Sequence, residues 1–121
     1  MRERIYVADD EEPIRELLER AIEMIFPEYQ RKIDLFVNGK SLYERLKTHN
    51  KEVKLALIDN DMPEMTGLEV IKKCVDLYPD IPFIQMSGKP IREEALEAGA
   101  KNFLEKPFDF TILEDTLKKY L

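Results

Sequence analysis

Five side chains of this sequence could do chemistry together: Asp9, Asp10, Asp59, Ser87 and Lys106. Three carboxylates held close repel one another unless a cation sits among them. An all-oxygen ligand set favours a hard divalent ion, Mg²⁺ first and Mn²⁺ as a substitute. The lysine adds a fixed positive charge and the serine a hydroxyl. A divalent cation, an ammonium and a hydroxyl suit three oxygens of a phosphoryl group. A central carboxylate can itself be the nucleophile and form an acyl phosphate, which makes Asp59 the candidate acceptor. Each feature alone has an ordinary reading. Asp9-Asp10 would be a turn or a helix cap, Ser87-Gly88 a loop start, and Lys106-Pro107 an extended residue before proline. Their shared placement along the chain is what argues for a site.

That placement follows from the hydrophobic pattern. Ile5 to Ala8 is a short buried-strand candidate stopped by Asp9-Asp10. Pro13 opens a helix at a position that tolerates the missing N–H. Ile14, Leu17, Leu18, Ala21, Ile22 and Ile25 then recur at helical spacing until Pro27. Ile33 to Val37 reads as a second strand and Ser41 to Lys47 as a second helix. Leu55 to Ile58 is continuously apolar, as a central parallel strand covered on both faces should be; it ends at Asp59. A loop with Pro63 and Gly67 leads to a helix over about Leu68 to Leu77. Pro82 to Met86 is a fourth strand ending at Ser87, and Arg92 to Ala98 a short helix stopped by Gly99. Asn102 to Glu105 is a fifth strand ending at Lys106, after which Asp109 caps a helix with Phe110, Leu113, Leu117 and Tyr120. Strands and helices in alternation predict a parallel α/β sheet with right-handed crossovers. Sites in such sheets lie beyond the carboxyl ends of the strands, where all five candidates fall.

Composition narrows the alternatives. With 121 residues, 44% of them hydrophobic, the chain suits one compact domain over 1–121 with a real core. Lys plus Arg number 19 against 25 Asp plus Glu, a net charge of −6, which disfavours direct nucleic-acid binding. One cysteine, Cys74, excludes an internal disulfide and a cysteine-based zinc site, and one histidine, His49, excludes a His-rich metal site. No apolar run suits membrane insertion and no signal peptide opens the chain, so a cytoplasmic setting is expected. The methionines 24, 62, 65 and 86 are expected to fill core or loops, His49 to be exposed, and Lys118-Lys119 to favour a solvated helix end.

Four segments together resemble the receiver domain of bacterial two-component response regulators. They are Val7-Ala8-Asp9-Asp10-Glu11, Ile58 to Pro63 with Gly67, Ile84 to Ser87, and Phe103 to Phe108. The resemblance runs end to end. It implies a flavodoxin-like three-layer sandwich with strand order 2-1-3-4-5, an order for which a member of this family is a standard illustration. It further implies Asp59 as phosphoacceptor, with Asp10 and Asp59 on Mg²⁺ directly, Asp9 through water and Asp61 through its backbone carbonyl. Ser87 and Lys106 would bind phosphoryl oxygens, and the Lys106-Pro107 peptide would be cis. Phe103 would be an aromatic switch that turns inward as Ser87 moves toward phosphate. A histidine kinase or phosphotransfer protein would supply the phosphoryl group. A downstream protein partner or output domain would read the face of the fourth helix, fifth strand and fifth helix.

Three features depart from the pattern. Gly88 stands where the family usually has Ala, still small enough for a backbone N–H to reach phosphate. Ser87 and Lys106 are 19 positions apart, a few fewer than usual, which predicts a fourth helix shortened at its start. Gln85 is polar within a strand that should be buried and must find a partner. The first helix carries an apolar stripe of about 160°, wider than the ~100° a core-facing helix needs. In the resembling family this helix and the loop after the fifth strand dock the kinase, which nominates Ile14, Leu17 and Pro107 as partner contacts. Asp61 and Lys89, each two residues beyond a phosphate-handling residue, would flank the path of the hydrolytic water and tune the phosphate's lifetime. Two other functions compete. Asp59-Asn60-Asp61 resembles the Asp-x-Asp of aspartate-nucleophile phosphatases, but that motif normally sits on a chain's first strand and no capping segment is evident. A receiver-like scaffold that never takes phosphate is disfavoured by the complete acidic, hydroxyl and lysine set.

Overall fold

A computed structural model describes all residues from Met1 to Leu121. Five strands, β1 (Arg4–Ala8), β2 (Ile33–Phe36), β3 (Val53–Asp59), β4 (Phe83–Ser87) and β5 (Asn102–Glu105), form one parallel sheet. Its order is β2-β1-β3-β4-β5, as expected. Five helices alternate with them: α1 (Glu12–Ile25), α2 (Gly39–His49), α3 (Gly67–Cys74), α4 (Arg92–Ala98) and α5 (Phe110–Leu117). No helix is long and apolar enough to cross a membrane.

Side chains alternate across the strands and divide the core in two. Tyr6, Ala8, Ala56, Ile58, Phe83 and Phe103 face α2, α3 and α4 through Leu42, Leu46, Val70, Ile71, Cys74 and Ala95. Ile5, Val7, Leu55, Leu57, Ile84, Met86 and Leu104 face α1 and α5 through Leu18, Ala21, Ile22, Leu113 and Leu117. Burial pushes the Cys74 thiol up to about 11, so it is a packing group at neutral pH.

Several boundaries differ from the sequence reading, each for a local reason. β2 stops at Phe36, and Val37 is half exposed in the bend that follows. α2 begins two residues before Ser41 because the Asn38 side chain accepts from the Ser41 N–H at 2.7 Å, and it runs on through His49. α3 ends at Cys74 rather than Leu77, whose side chain is 62% exposed. Its start is fixed by a Thr66–Glu69 capping box, a pattern visible in the sequence but overlooked there. α5 ends at Leu117, leaving Tyr120 in the turn beyond. Met24 is exposed on α1 rather than packed. On that helix Leu18, Ala21 and Ile22 meet the core while Leu17 stays exposed. α4 holds only seven residues, in line with the short spacing before it.

The edge of the sheet opposite the strand ends is stapled by polar groups. Arg4 makes a two-pronged bond to Asp34 at 2.6 and 3.2 Å, joining β1 to β2. Arg2 donates to the carbonyls of Asn50 and Val53, and the Tyr6 hydroxyl donates to Glu52. At the other edge the loop before α3 presses on α2: a Cβ at Gly39 would collide with the Met65 carbonyl. Gly39→Ala should therefore cost about 1–3 kcal/mol, the range for overpacking. Urea unfolding would measure it, and an unchanged midpoint would refute the close approach.

Candidate functional site

Every strand but β2 delivers a polar group to the carboxyl edge of the sheet. Asp9 and Asp10 follow β1, Asp59 ends β3, Ser87 ends β4 and Lys106 follows β5. Asp9 and Ser87 are fully buried, Asp59 is 5% exposed, and Asp10 is open to solvent. Carboxylate oxygens of Asp9, Asp10 and Asp59 lie within 4.8 Å of one another. The Lys106 ammonium bridges two of them, 2.7 Å from Asp9 Oδ2 and 3.1 Å from Asp59 Oδ1. The Lys106-Pro107 peptide is cis. Asp10, Glu11, Asp59, Asp61, Gly88 and Lys106 line a polar hollow of about 360 Å³ above this cluster.

The electrostatics follow from burial among like charges. Burial, then the negative charge of Asp9, pushes the Asp59 carboxyl up to about 6, and Lys106 only partly offsets this. Burial alone would lower the Lys106 pKa, but its bond to Asp9 and the charge of Asp59 outweigh that and leave it raised. The cluster thus holds more negative charge than its one ammonium satisfies. That surplus, with an all-oxygen donor set, fits a hard divalent cation. Asp9 has both oxygens engaged, Oδ2 by Lys106 and Oδ1 by the Glu11 N–H at 3.0 Å. The Arg15 guanidinium, unremarked in the sequence, donates to the Asp9 carbonyl at 2.8 Å and ties it to α1.

The remaining candidates fall around this centre. Ser87 Oγ accepts from the Lys89 N–H at 3.0 Å. A Cβ at Gly88 would meet nothing within 4 Å, so the glycine is not demanded by space. Lys89 Nζ lies 3.2 Å from Asp61 Oδ1, both side chains more than half exposed. Phe103 is already buried, 3% exposed and packed in the core, while Ser87 Oγ still holds the Lys89 N–H; the expected inward turn coupled to Ser87 movement is therefore not needed to bury the ring. The Arg92 guanidinium, also missed in the sequence, sits over its ring at 5.2 Å, a cation–π distance. Ile14, Leu17 and Pro107 line a neighbouring hollow with Glu11, Leu18, Lys106 and Phe108. Asn60, to which the sequence assigns no role of its own, has its carbonyl accepting from the Met62 and Gly67 N–H groups and its side chain from the Leu68 N–H. It shapes the whole turn after Asp59.

Comparison with known proteins agrees with this geometry. A family model described as the response regulator receiver domain matches residues 5–118. A chemotaxis protein CheY homolog of Campylobacter jejuni is 40% identical over 81 residues, covering 63% of this chain and 62% of that protein. The chemotaxis protein CheY1 of Helicobacter pylori is 28% identical, covering 98% of this chain and 96% of that one. The chain thus spans less than two thirds of the Campylobacter relative's length. Among solved structures, the response regulator protein TrrA of Thermotoga maritima, in complex with Mg(2+)-BeF, is 31% identical with a TM-score of 0.81, covering all of both chains.

The raised Asp59 carboxyl has a consequence for stability in metal-free protein. Unfolded, this group ionises near the ordinary aspartate value; folded, it keeps its proton to about pH 6. Between those values the folded state binds more protons, so this group's contribution to stability falls as pH rises. Asp59→Asn removes the penalty of the charged form. The variant should be more stable than the parent at pH 7.5, by about 1–3 kcal/mol, and the gap should close toward pH 4. Thermal melts in chelator across that range check it, and a gap independent of pH would refute the electrostatic origin.

Proposed function

This chain belongs to the response regulator receiver family, and on that premise we propose that it is a phosphoacceptor switch taking a phosphoryl group onto Asp59. The observation that carries the reading is the convergence of three carboxylates and one ammonium at the sheet edge, Lys106 touching Asp9 and Asp59. Asp10 and Asp59 would hold Mg²⁺ directly, with Asp9 through water and Asp61 through its backbone carbonyl. The ion supplies positive charge that lets an anionic donor approach and balances the oxygens of the moving group. An Asp59 oxygen attacks phosphorus as the bond from phosphorus to the donor's imidazole nitrogen breaks, and the leaving nitrogen keeps the electron pair. Lys106, the Ser87 hydroxyl and the Gly88 N–H receive the phosphoryl oxygens. This chain accepts and loses phosphate; it turns over no separate substrate.

The donor is a histidine kinase or a phosphotransfer protein. It docks where Ile14, Leu17 and Pro107 border the mouth of the site, so that apolar contact brings a phosphohistidine over Asp59. The signal leaves on the other side. Ser87 releases the Lys89 N–H to bind phosphate, and the loop before α4 shifts beside Phe103. A protein partner or output domain reads the face of α4, β5 and α5. In a solved complex from Borrelia burgdorferi a CheY with BeF3 and Mg+2 is bound to CheX, and a partner of that general kind suits this reading.

The lifetime of the phosphorylated form is set in part by the Asp61–Lys89 pair, which spans the mouth at 3.2 Å. An exposed pair contributes only ~0.2–1 kcal/mol. That is enough to obstruct one attacking water.

Two measurements test this function. Incubation with acetyl phosphate and Mg²⁺ should add one phosphate to the parent by intact mass and none to Asp59→Asn, and chelator should abolish the adduct. Equal labelling of the variant would reject Asp59 as the acceptor. Lys89→Ala should shorten the half-life of the adduct roughly 1.5- to 5-fold, and added salt should shorten it in the parent alone. Decay at the parental rate, at low and high salt alike, would reject the shielding role.

A further inference from the structure

Gln85 lies in the middle of β4, fully buried, on the face that meets α3. The surrounding cluster on this face is apolar. The carboxamide instead donates from Nε2 to two backbone carbonyls, those of Ile58 and Met86, each at 3.2 Å. Its orientation is fixed, because a flipped amide would press Oε1 against two carbonyl oxygens. Oε1 then has no partner, and a buried acceptor left bare weakens the fold. A residue kept only for stability would not be built this way.

The two carbonyls mark where the amide acts. Ile58 immediately precedes Asp59, and Met86 immediately precedes Ser87. The Met86 carbonyl also accepts from the Asn60 N–H at 3.0 Å, just beyond Asp59. The carboxamide therefore spans the seam between β3 and β4 directly beneath the acceptor and the hydroxyl. The turn after Asp59 closes on it from above. A Cβ at Gly67 would collide with the Asp59 carbonyl and lie 2.9 Å from Gln85 Nε2.

We propose that Gln85 is a positioning residue: its carboxamide fixes the spacing of the β3 and β4 ends, and so holds Ser87 where it meets a phosphoryl group on Asp59. The inference rests on Asp59 being the phosphoacceptor. Displacing a reacting group by about 1 Å can cost ~100-fold in rate, so a loosened seam acts on transfer far more than on folding. Binding of Mg²⁺ alone does not use Ser87 and is indifferent to that spacing.

Gln85→Met keeps the length of the side chain and removes both the donors and the bare acceptor; Gln85→Leu is the second variant. Three quantities are compared with the parent: the melting temperature, the Mg²⁺ dissociation constant by calorimetry, and the rate of labelling by acetyl phosphate together with the affinity for beryllofluoride. The expected result is an unchanged or raised melting temperature, Mg²⁺ affinity within twofold, and labelling and beryllofluoride affinity each reduced about tenfold or more. Parental labelling in either folded variant would overturn the role of Gln85 while leaving Asp59 as acceptor. So would both variants melting well below the parent with Mg²⁺ binding weakened alike, since the amide would then be a structural necessity only. A parent that takes no phosphate at all overturns both readings together.

Discussion

The ion pairs of Lys106 hold this architecture at its working edge. One ammonium reaches Asp9 at 2.7 Å and Asp59 at 3.1 Å, which ties the ends of β1, β3 and β5 together across ninety-seven residues of chain. Both carboxylates are buried, Asp9 wholly and Asp59 at 5% exposure. Removing a charge from water in this way is tolerated only when it is paired. Yet one positive charge among three carboxylates leaves the balance negative, and the raised Asp59 carboxyl registers that deficit. The site is thus stable enough to fold and unsatisfied enough to bind. An all-oxygen cluster with that deficit fits a hard divalent cation, and in the proposed function Lys106 and the Ser87 hydroxyl would then meet the oxygens of a phosphoryl group.

In the proposed switch, a change at Asp59 would reach the surface through equally few contacts. Ser87 Oγ is committed to the Lys89 N–H, so turning the hydroxyl elsewhere frees an amide in the loop before α4. That helix is seven residues long and has no side-chain cap at its start, and short uncapped helices yield at small cost. Arg92, its first residue, stacks on the buried Phe103 ring at 5.2 Å. Its guanidinium also reaches the Phe103 carbonyl at 3.5 Å, too long for a strong bond. A cation in the first helical turn opposes the helix dipole, so the stack on Phe103 is what favours the arginine there. The loop after Ser87, the helix start and the aromatic residue therefore lie in one contiguous run of contacts.

Much of this was legible in the sequence. The alternation of apolar runs and amphipathic segments placed Asp9, Asp10, Asp59, Ser87 and Lys106 on one edge, because a parallel sheet puts its strand ends together. The ranges of α4 and β5 followed from Gly99 and from short apolar runs. What escaped depends on contacts distant in sequence. Arg15 binds a backbone carbonyl, which has no signature in residue type. Arg92 matters only once Phe103 is known to lie beneath it. Asn60 has no role legible in its own residue type because its work is done on the N–H groups of residues 62, 67 and 68. The end of α3 was overrun because Val75 to Leu77 continue the helical pattern, although Leu77 points to solvent. Gln85 was recognised as anomalous, but only the fold shows that its partners flank the acceptor.

The two edges of the sheet are built on opposite principles, and each makes the other workable. At the amino edge, Arg4 and Asp34 pair in two-pronged geometry, Arg2 spends its donors on carbonyls, and the Tyr6 hydroxyl meets Glu52. Those groups have partners and gain nothing from a ligand. At the carboxyl edge, Asp10 is open to solvent and Asp59 carries excess charge. Both edges share the same strands, whose apolar faces are buried against α1, α5, α2, α3 and α4. Polar groups short of partners are tolerated when the frame beneath them is rigid, since the chain cannot relax to satisfy them internally. The core therefore keeps the ends of β1, β3 and β5 together although their negative charge exceeds what Lys106 satisfies, and on that imbalance the proposed switch would act.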